Sequence, residues 1–347
     1  MNLLKKHSRR LKRRRKKKAS VMLFKFISNI IIASVAFQLV PGNWTEVAAD
    51  PSALSSEIIR GEVIWAESLP EAENVATAVL PMAEEKKFPT KIDAESLGVK
   101  TTATSVIVVD FETGKILFEK NPEAVRAIAS ITKLAAALVF LDNNPGWDEP
   151  VTITNVLTLG NNNFYSGEMV TAKDLFYSAL VGSDNTAANN FANAVGMSME
   201  DFVKEMNVKA GELGLVNTFF VDPVGLDPDN KSTALDLVKI LREAAMSEDI
   251  QTATRLRTYE FRSISNDYHY IKSTDDLLSG FINRAPYTIV AGKTGSLLAA
   301  GYCLALAVEK DGHTILIISL NSADHFSRFQ DVKSLTYWTF NNYIWPE

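Results

Sequence analysis

The chain has 347 residues, of which 46% are hydrophobic and 22% are charged. This composition is typical of a globular protein and excludes a disordered, a collagen-like or a polytopic membrane chain. The single cysteine, Cys303, excludes an internal disulfide framework and cysteine-rich metal sites. The formal charge of −5 is distributed unevenly along the chain, because residues 1–25 hold twelve of the 36 basic residues and no acidic residue. The other 24 basic residues stand against 41 acidic ones, so the rest of the chain carries −17.

The first eighteen residues include a basic run, RRLKRRRKKK, and two residues later the apolar sequence VMLFKFISNIIIASVAFQLV begins. Positive residues stay in the cytoplasm while the apolar segment behind them inserts into the membrane. We therefore predict a basic cytoplasmic tail over residues 1–20 and a transmembrane anchor or cleaved signal peptide over residues 21–41, with the anchor favoured. A basic run alone is also compatible with nucleic-acid binding, but the adjoining apolar segment favours the membrane.

Residues 42–100 are interrupted by prolines and are predicted to form a stalk. Two strands follow, ATSVIVVD and ILFEK, joined by a glycine-containing turn. The middle of the chain shows helix caps at Thr171, Ser198 and Thr233, with a helix end at Gly182. A hairpin, AGYCLALAVE and TILIISLNS, and a last helix over residues 326–340 complete the chain. Residues 101–347 are therefore predicted to form one α+β domain whose early and late strands pair in an antiparallel sheet.

The first motif, Ser130-Ile131-Thr132-Lys133, opens the apolar run LAAALVF. Residues three apart share one face of a helix, so the serine hydroxyl and the lysine amine can touch. A serine is a poor nucleophile until a base takes its proton, and a lysine can be that base when burial or a nearby cation lowers its pKa. An S-x-x-K pattern also arises by chance about once or twice in a chain of this length, so alone it identifies no nucleophile.

Two more short motifs follow. The SDN sequence at residues 183–185 comes after the predicted helix end, and alone it is typical of a helix cap. Its functional interpretation gives the serine a proton-relay role and the asparagine a role in holding the substrate backbone. The KTG sequence at residues 293–295 begins a predicted strand, where glycine lets a substrate lie close to the backbone and lysine and threonine can bind a carboxylate.

The order S-x-x-K, S-x-N, K-T-G is that of the penicillin-recognising serine acyl transferases. The flanking sequence resembles the serine-type D-alanyl-D-alanine carboxypeptidase family over residues 102–342. The segments that carry the resemblance include IASITKLAAALVF, LGLVNTFFVDPVGLD, AGKTGSLLAAGYCLALAVEKDG and SRFQDVKSLTYW. The resemblance implies a β-lactamase/transpeptidase-like fold, with an antiparallel sheet flanked by helices and a mainly helical region.

The resemblance also implies roles for individual residues. Ser130 would attack the carbonyl between two terminal D-alanines of a peptidoglycan stem peptide, Lys133 would take its proton, and Ser183 would help pass it to the leaving D-alanine. The backbone N–H groups of Ser130 and Ser296 would form the oxyanion hole, and Lys293 would raise the local positive potential. Substrate-binding roles are implied for Asn185, Lys293, Thr294, Gly295, Ser296 and Arg328.

The same resemblance implies the partners and the location. β-Lactams would acylate the nucleophile, and neither a metal, an organic cofactor nor nucleic acid is expected. The enzyme would work at the extracytoplasmic face of a bacterial cell membrane, held by its N-terminal segment, or be secreted if that segment is cleaved. Larger carboxypeptidases of the family continue into a β-rich domain and a C-terminal anchor, so the N-terminal segment is expected to replace that anchor here.

Some residues depart from the family pattern and leave alternatives open. SDN stands where S-G-N or S-S-N is frequent and is also the class A β-lactamase form, and Ser296 stands where an aromatic residue or histidine is common. The alternatives are a peptidoglycan endopeptidase, a β-lactamase with Glu212 as the residue that activates water, and a non-catalytic β-lactam sensor or wall-binding module. Surface or core roles are expected for His269, His313 and His325, and a buried apolar role for Cys303.

Overall fold

The computed structural model describes residues 87–346. The predicted basic tail, the predicted membrane segment at residues 21–41 and most of the predicted stalk lie outside this range. Within residues 87–346, no helix combines the length and the hydropathy that crossing a bilayer requires.

Five strands form a central antiparallel sheet, and the other strands form two-stranded pairs. In chain order the strands are β1 (Thr90–Lys91), β2 (Ser105–Asp110), β3 (Ile116–Lys120), β4 (Arg126–Ala127), β5 (Pro150–Thr152), β6 (Met169–Thr171), β7 (Lys231–Ser232), β8 (Thr258–Arg262), β9 (Tyr268–Lys272), β10 (Tyr287–Leu297), β11 (Gly301–Lys310), β12 (His313–Ser322) and β13 (Tyr343–Ile344).

The helices lie mostly between the early and the late strands. They are α1 (Thr132–Asp142), α2 (Ala172–Val181), α3 (Asn185–Asn189), α4 (Phe191–Ala194), α5 (Met199–Glu212), α6 (Ala234–Met246), α7 (Glu248–Thr254) and α8 (His325–Asn342), with 3₁₀ turns at Ala129–Ile131, Asp276–Ser279 and Phe281–Asn283.

The central sheet has the strand order β10-β11-β12-β2-β3, and every neighbouring pair is antiparallel. Early and late strands therefore pair across the chain, which confirms the α+β prediction. In β2 the side chains alternate between two cores: Ile107 and Val109 face the larger one, and Val106 and Val108 face the smaller one. Both faces of the sheet are covered, and this explains why β2 is apolar at nearly every position.

The two faces are covered by different helices. Helix α6 lies against β2, β10, β11 and β12, and α1 packs on α6 and α5 to build the mainly helical region. Helix α8 covers the other face at β11 and β12. The 3₁₀ turn Ala129–Ile131 contacts β10, so the start of α1 is held at the edge of the sheet. The S-x-x-K and K-T-G motifs are brought together at this contact.

The predicted local signals are present in the structure. The hydroxyl groups of Thr171, Ser198 and Thr233 accept hydrogen bonds from backbone N–H groups at the starts of α2, α5 and α6, and Gly182 ends α2. One predicted boundary differs: β1 pairs with β13, so the folded unit begins upstream of residue 101. The sequence offered no signal for this two-residue pairing, because it depends on a partner more than 250 residues away.

Candidate active site

Ser130 lies in the 3₁₀ turn that leads into α1, and Lys133 lies in the first turn of that helix. The Nζ atom of Lys133 is 3.0 Å from the Oγ atom of Ser130. Ala129, just before the serine, has a φ of 48°, a left-handed conformation that is uncommon for a residue with a side chain. Strained residues of this kind cluster at active sites, where surrounding contacts hold them in place.

Lys133 is completely buried. Its Nζ atom also donates to Oδ1 of Asn185 at 2.8 Å and to the backbone oxygen of Val224 at 2.9 Å. Burial lowers the pKa of Lys133 to about 7, although the carboxylates of Asp184 and Asp222 act in the opposite direction. A neutral amine with a lone pair is therefore accessible near neutral pH, beside the hydroxyl of Ser130.

The SDN sequence forms the connection between α2 and α3. Ser183 has a φ of 55° and lies in the wall of the cleft. Asp184 caps α3 by accepting a hydrogen bond from the backbone N–H of Ala187 at 2.7 Å. It also accepts two 2.7 Å hydrogen bonds from Asn163, one from the backbone and one from the side chain. The aspartate therefore holds the preceding loop against the motif, and burial raises its pKa.

The loop over residues 153–168 forms one rim of the site. The side chain of Asn161 donates to the backbone oxygen of Gly182 at 2.7 Å, and the backbone oxygen of Asn161 accepts from the backbone N–H of Asn185 at 2.7 Å. Gly160 has a φ of 74°, and a Cβ there would lie 2.3 Å from Nδ2 of Asn185. Only glycine fits this close approach without displacing the asparagine amide.

The KTG sequence lies on β10 and runs along the nucleophile's turn. A Cβ at Gly295 would lie 3.1 Å from the backbone nitrogen of Ser130 and 3.0 Å from the backbone oxygen of Ile128. The strand backbone can approach this closely because glycine has no side chain. Thr294 lies in the cleft, where its hydroxyl is 2.5 Å from the hydroxyl of Thr274.

Lys293 lies below the cleft and is 2% exposed. Its Nζ atom donates to the backbone oxygen of Thr294 at 3.1 Å. Burial, followed by the positive charges of Lys133 and Arg328, lowers the pKa of Lys293 well below that of a free lysine. A protonated Lys133 therefore opposes the protonation of Lys293. An anionic group entering the cleft would favour the charged form of Lys293.

Arg328 projects from α8 towards the same cleft. One terminal nitrogen donates to the backbone oxygen of Gly295 at 3.2 Å, and the other lies 3.2 Å from Nδ1 of His325. Within residues 87–346, no Asp or Glu forms an ion pair with the guanidinium. An arginine with no carboxylate partner is suited to bind the carboxylate of a ligand.

The cleft has a volume of about 400 Å³. Seven of the nine predicted site residues line it, and Lys133 and Lys293 lie buried beneath its floor. The seven are Ser130, Ser183, Asn185, Thr294, Gly295, Ser296 and Arg328. The structure therefore brings together the residues of all three motifs and the arginine of the last helix.

The motifs did not mark some residues that also line the cleft, among them Asn161, Lys272 and His325. Only His325 carries a signal that the sequence could have revealed. It lies three residues before Arg328 in the last helix, a spacing at which side chains share a face. The side chain of His325 is 45% exposed, in line with the expected surface position, and in addition it lines the cleft.

Glu212, the candidate for water activation in a β-lactamase, lies outside the cleft. Its carboxylate is 3.1 Å from Nζ of Lys209 at the end of α5. The spacing from the motifs could not reveal this, because the position depends on how α5 packs against α1. Among the remaining residues, His269 is buried with its Nε2 atom 2.6 Å from Glu168, and Cys303 is buried as expected.

Comparison with known proteins agrees with this geometry. The family model described as D-alanyl-D-alanine carboxypeptidase matches residues 90–324. A D-alanyl-D-alanine endopeptidase of Escherichia coli (strain K12) is 31% identical over 70% of this chain and 78% of its own length. One of Pseudomonas aeruginosa is 33% identical over 67% and 76%.

A solved structure shows the same fold. Penicillin-binding protein D2 from Listeria monocytogenes, in its cefotaxime-bound form, is 28% identical and superposes with a TM-score of 0.62. The superposition covers 70% of this chain and 99% of that one. With the three motifs in one cleft and a family model matched over most of its length, this chain belongs to the D-alanyl-D-alanine carboxypeptidase family.

Proposed function

We propose that the protein is a serine DD-peptidase that cleaves the terminal D-alanyl-D-alanine bond of peptidoglycan stem peptides and binds penicillin. The observation that carries the proposal is the 3.0 Å contact between Oγ of Ser130 and Nζ of Lys133. A buried lysine with a pKa of about 7 supplies the base that a serine hydroxyl needs near neutral pH. Membership of the family supports the substrate class.

The first step of the reaction forms a tetrahedral intermediate. Oγ of Ser130 bonds to the carbonyl carbon of the penultimate D-alanine, and its proton moves to Nζ of Lys133. The carbonyl oxygen becomes an oxyanion, which the backbone N–H groups of Ser130 and Ser296 are proposed to stabilise. The close approach at Gly295 supports this, because it brings the β10 backbone to the nucleophile's turn.

The second half releases both products. The oxyanion re-forms the carbonyl as the C–N bond breaks, which leaves an ester on Ser130. The leaving D-alanine nitrogen takes the proton from Lys133 with Ser183 as the relay. Ser183 has a place in the cleft wall that suits this role. Water then attacks the ester carbon and gives a proton to Lys133, and Ser130 recovers its hydroxyl as the shortened peptide leaves. The proton of Ser130 goes to the leaving amine and a proton of water returns to Ser130, both through Lys133, so the protons balance. No step changes an oxidation state, so no redox partner is needed.

The substrate is proposed to be held at its terminal carboxylate and at its backbone. The terminal carboxylate would bind Arg328 and the hydroxyl of Thr294, with Lys293 contributing charge once the anion has entered. The side-chain amide of Asn185 would hold the substrate backbone, and its oxygen already binds Lys133 at 2.8 Å. The cations matter because the chain beyond residue 25 is strongly acidic, and an anionic substrate must bind against that background.

The pH dependence of acylation follows from the pKa of Lys133, which burial lowers to about 7. Only the neutral amine accepts the proton of Ser130, so the rate rises with pH through this value and levels off above it. We expect the second-order rate constant for acylation by penicillin G to fall about tenfold per pH unit below about pH 6. Labelling measured from about pH 5 to 9, with a melting temperature at each pH, tests this. A flat profile in folded protein would contradict it.

Endopeptidase cleavage of peptidoglycan cross-links is the second candidate. It is favoured by the relatives from Escherichia coli and Pseudomonas aeruginosa, which are D-alanyl-D-alanine endopeptidases and are both more than 30% identical to this chain. The same nucleophile and base serve both reactions, and the difference is the size of the leaving group. In a cross-link the leaving amine belongs to a second stem peptide, which must extend out of the cleft beyond Arg328.

One experiment separates the two activities. The full-length protein in detergent is incubated with diacetyl-Lys-D-Ala-D-Ala and with purified cross-linked muropeptides, and the products are separated by chromatography. Release of D-alanine from the peptide supports the carboxypeptidase, and conversion of dimers to monomers supports the endopeptidase. Penicillin labelling without either product would support the non-catalytic sensor. Rapid penicillin turnover would support a β-lactamase, for which the position of Glu212 offers no support.

We also propose that the enzyme acts at the extracytoplasmic face of a bacterial membrane. The support is the sequence alone: a basic run directly before an apolar segment, and an acidic remainder that contains the catalytic motifs. Membrane fractionation with protease treatment of intact spheroplasts tests this. A product in the culture medium that lacks residues 1–41 would support the cleaved form instead.

A further inference from the structure

His325 is the first residue of α8 and lies beside the arginine that borders the cleft. Its Nδ1 atom is 3.2 Å from a terminal nitrogen of Arg328, and its Nε2 atom is 3.3 Å from Oδ2 of Asp276. A guanidinium can only donate, so Nδ1 must be the acceptor. The neutral ring then carries its proton on Nε2 and donates it to Asp276. The three side chains form one ordered chain of hydrogen bonds.

The surroundings of Arg328 explain why such a partner matters. Its guanidinium carbon lies 4.6 Å from the ring centre of Phe329 and 5.7 Å from that of Tyr302. These two aromatic rings contact the guanidinium group and restrict the orientation of its plane. Within the described residues, the only other hydrogen bond of the guanidinium goes to the backbone oxygen of Gly295, and its Nε atom is buried without a partner. The imidazole is therefore one of two groups that hold the guanidinium in its plane.

The chemistry of histidine suits this position better than a carboxylate would. A neutral imidazole accepts a hydrogen bond and leaves the positive charge of Arg328 unpaired. An Asp or Glu in direct contact would neutralise that charge before the substrate arrived. Asp276 is separated from Arg328 by the ring, so it orients His325 without forming an ion pair with the arginine.

We infer that His325, oriented by Asp276, is a positioning residue that fixes Arg328 for binding substrates with a free terminal carboxylate. The inference rests on the proposed function, because it assigns the carboxylate of that substrate to Arg328. It goes further by naming the pair that sets the affinity of the cleft for a terminal acid over a terminal amide.

The contacts of His325 do not indicate a purely structural role for its side chain. The N-terminus of α8 is capped by Asp324, which accepts hydrogen bonds from the backbone N–H groups of Phe326 and Ser327. The side chain of His325 takes no part in this cap and is 45% exposed. Its substitution should therefore leave the helix start and the core intact.

The test compares His325→Leu with His325→Gln in the full-length protein. Leucine removes both hydrogen bonds, whereas glutamine can accept from Arg328 through its oxygen and donate to Asp276 through its nitrogen. For diacetyl-Lys-D-Ala-D-Ala, we expect His325→Leu to raise KM about 5- to 30-fold and to change kcat less than about twofold. For the terminal amide of the same peptide, KM should stay within about twofold of the wild type. His325→Gln should recover most of the loss.

A matched control is His313→Leu, because His313 stacks on Trp345 away from the cleft and should leave both substrates unaffected. Equal effects of His325→Leu on the acid and the amide, a loss confined to kcat, or no recovery by glutamine would overturn the inference. Should His325→Leu fail to fold, Asp276→Asn should raise KM for the acid in the same direction by a smaller factor, and no change there would overturn it.

Failure of the proposed function gives a different result. If the wild-type protein releases no D-alanine, the same variants are compared in acylation by penicillin G and by its methyl ester. A loss confined to the free acid then supports the role of His325, and equal rates for both compounds overturn it. If the wild-type protein reacts with neither peptide nor penicillin, the proposed function and the inference fall together.

Discussion

Ser130→Ala is expected to abolish D-alanine release from diacetyl-Lys-D-Ala-D-Ala, lowering kcat by at least about 10⁴-fold. The acyl bond forms on the hydroxyl oxygen of this residue, and alanine offers no atom to replace it. The remaining polar groups of the cleft can still bind the peptide, so KM should change far less than kcat. The substitution removes one atom at the cleft surface, and the melting temperature should stay close to that of the wild type.

Ser178→Ala is the matched control for this change. Its hydroxyl is buried in α2 and has no hydrogen-bond partner within residues 87–346, so removing it costs no hydrogen bond there. Activity should remain within about twofold of the wild type. D-alanine release by Ser130→Ala at more than one hundredth of the wild-type rate would show that another residue is the nucleophile.

Lys133→Met is expected to lower the acylation rate with penicillin G by about 10²- to 10⁴-fold. Methionine has a similar unbranched shape and fills the buried site, but it cannot take the proton of Ser130. The change also leaves Oδ1 of Asn185 and the backbone oxygen of Val224 without their donor, which costs some stability. The rate constant must therefore be measured well below the melting temperature.

The control for the base is Lys209→Met, which removes a partly exposed lysine that pairs with Asp142 and Glu212 away from the cleft. It should acylate at the wild-type rate. The sharper result is the pH profile of Lys133→Met: its residual rate should no longer rise with pH through about 7, the value to which burial lowers the pKa of Lys133. A residual rate with the original profile would assign the base to another group.

Much of the site was predictable because its chemistry is concentrated in short motifs. The S-x-x-K, SDN and KTG sequences marked the nucleophile, the base and the carboxylate-binding strand, and the structure brings these residues into one cleft. The antiparallel sheet was predictable because β2, β11 and β12 contain long apolar runs, and the hairpin between β11 and β12 carries an Asp311–Gly312 turn.

The parts that were not predictable depend on contacts between distant segments. The loop over residues 153–168 has no regular pattern, and its position follows from Asn161 and Asn163 binding the SDN connection. The hairpin of β8 and β9 is half exposed, and only its packing shows that Lys272 reaches the cleft. The low pKa of Lys133 is likewise a property of burial, and a sequence pattern does not measure burial.

The uneven distribution of charge along the sequence affects how the cleft binds an anionic substrate. The acidic remainder of the chain repels an anionic peptide, so the proposed binding of its carboxylate depends on Arg328 and Lys293. Burial lowers the pKa of Lys133, Lys293 and Arg328 alike. Because an arginine starts from a much higher pKa than a lysine, Arg328 is the one that keeps its charge across the working range. This makes the surroundings of Arg328, including His325, the place where substrate preference is decided.

The most direct test of the central claim is the position of the penicillin adduct. The full-length protein is incubated with penicillin G, quenched in acid and digested with trypsin, and the peptides are analysed by mass spectrometry. Cleavage after Arg126 and Lys133 isolates residues 127–133, which contain Ser130 as their only serine. The account predicts one penicilloyl group, on this peptide and at Ser130. An adduct on a peptide that contains Ser183 or Ser296, or none at all, would contradict it.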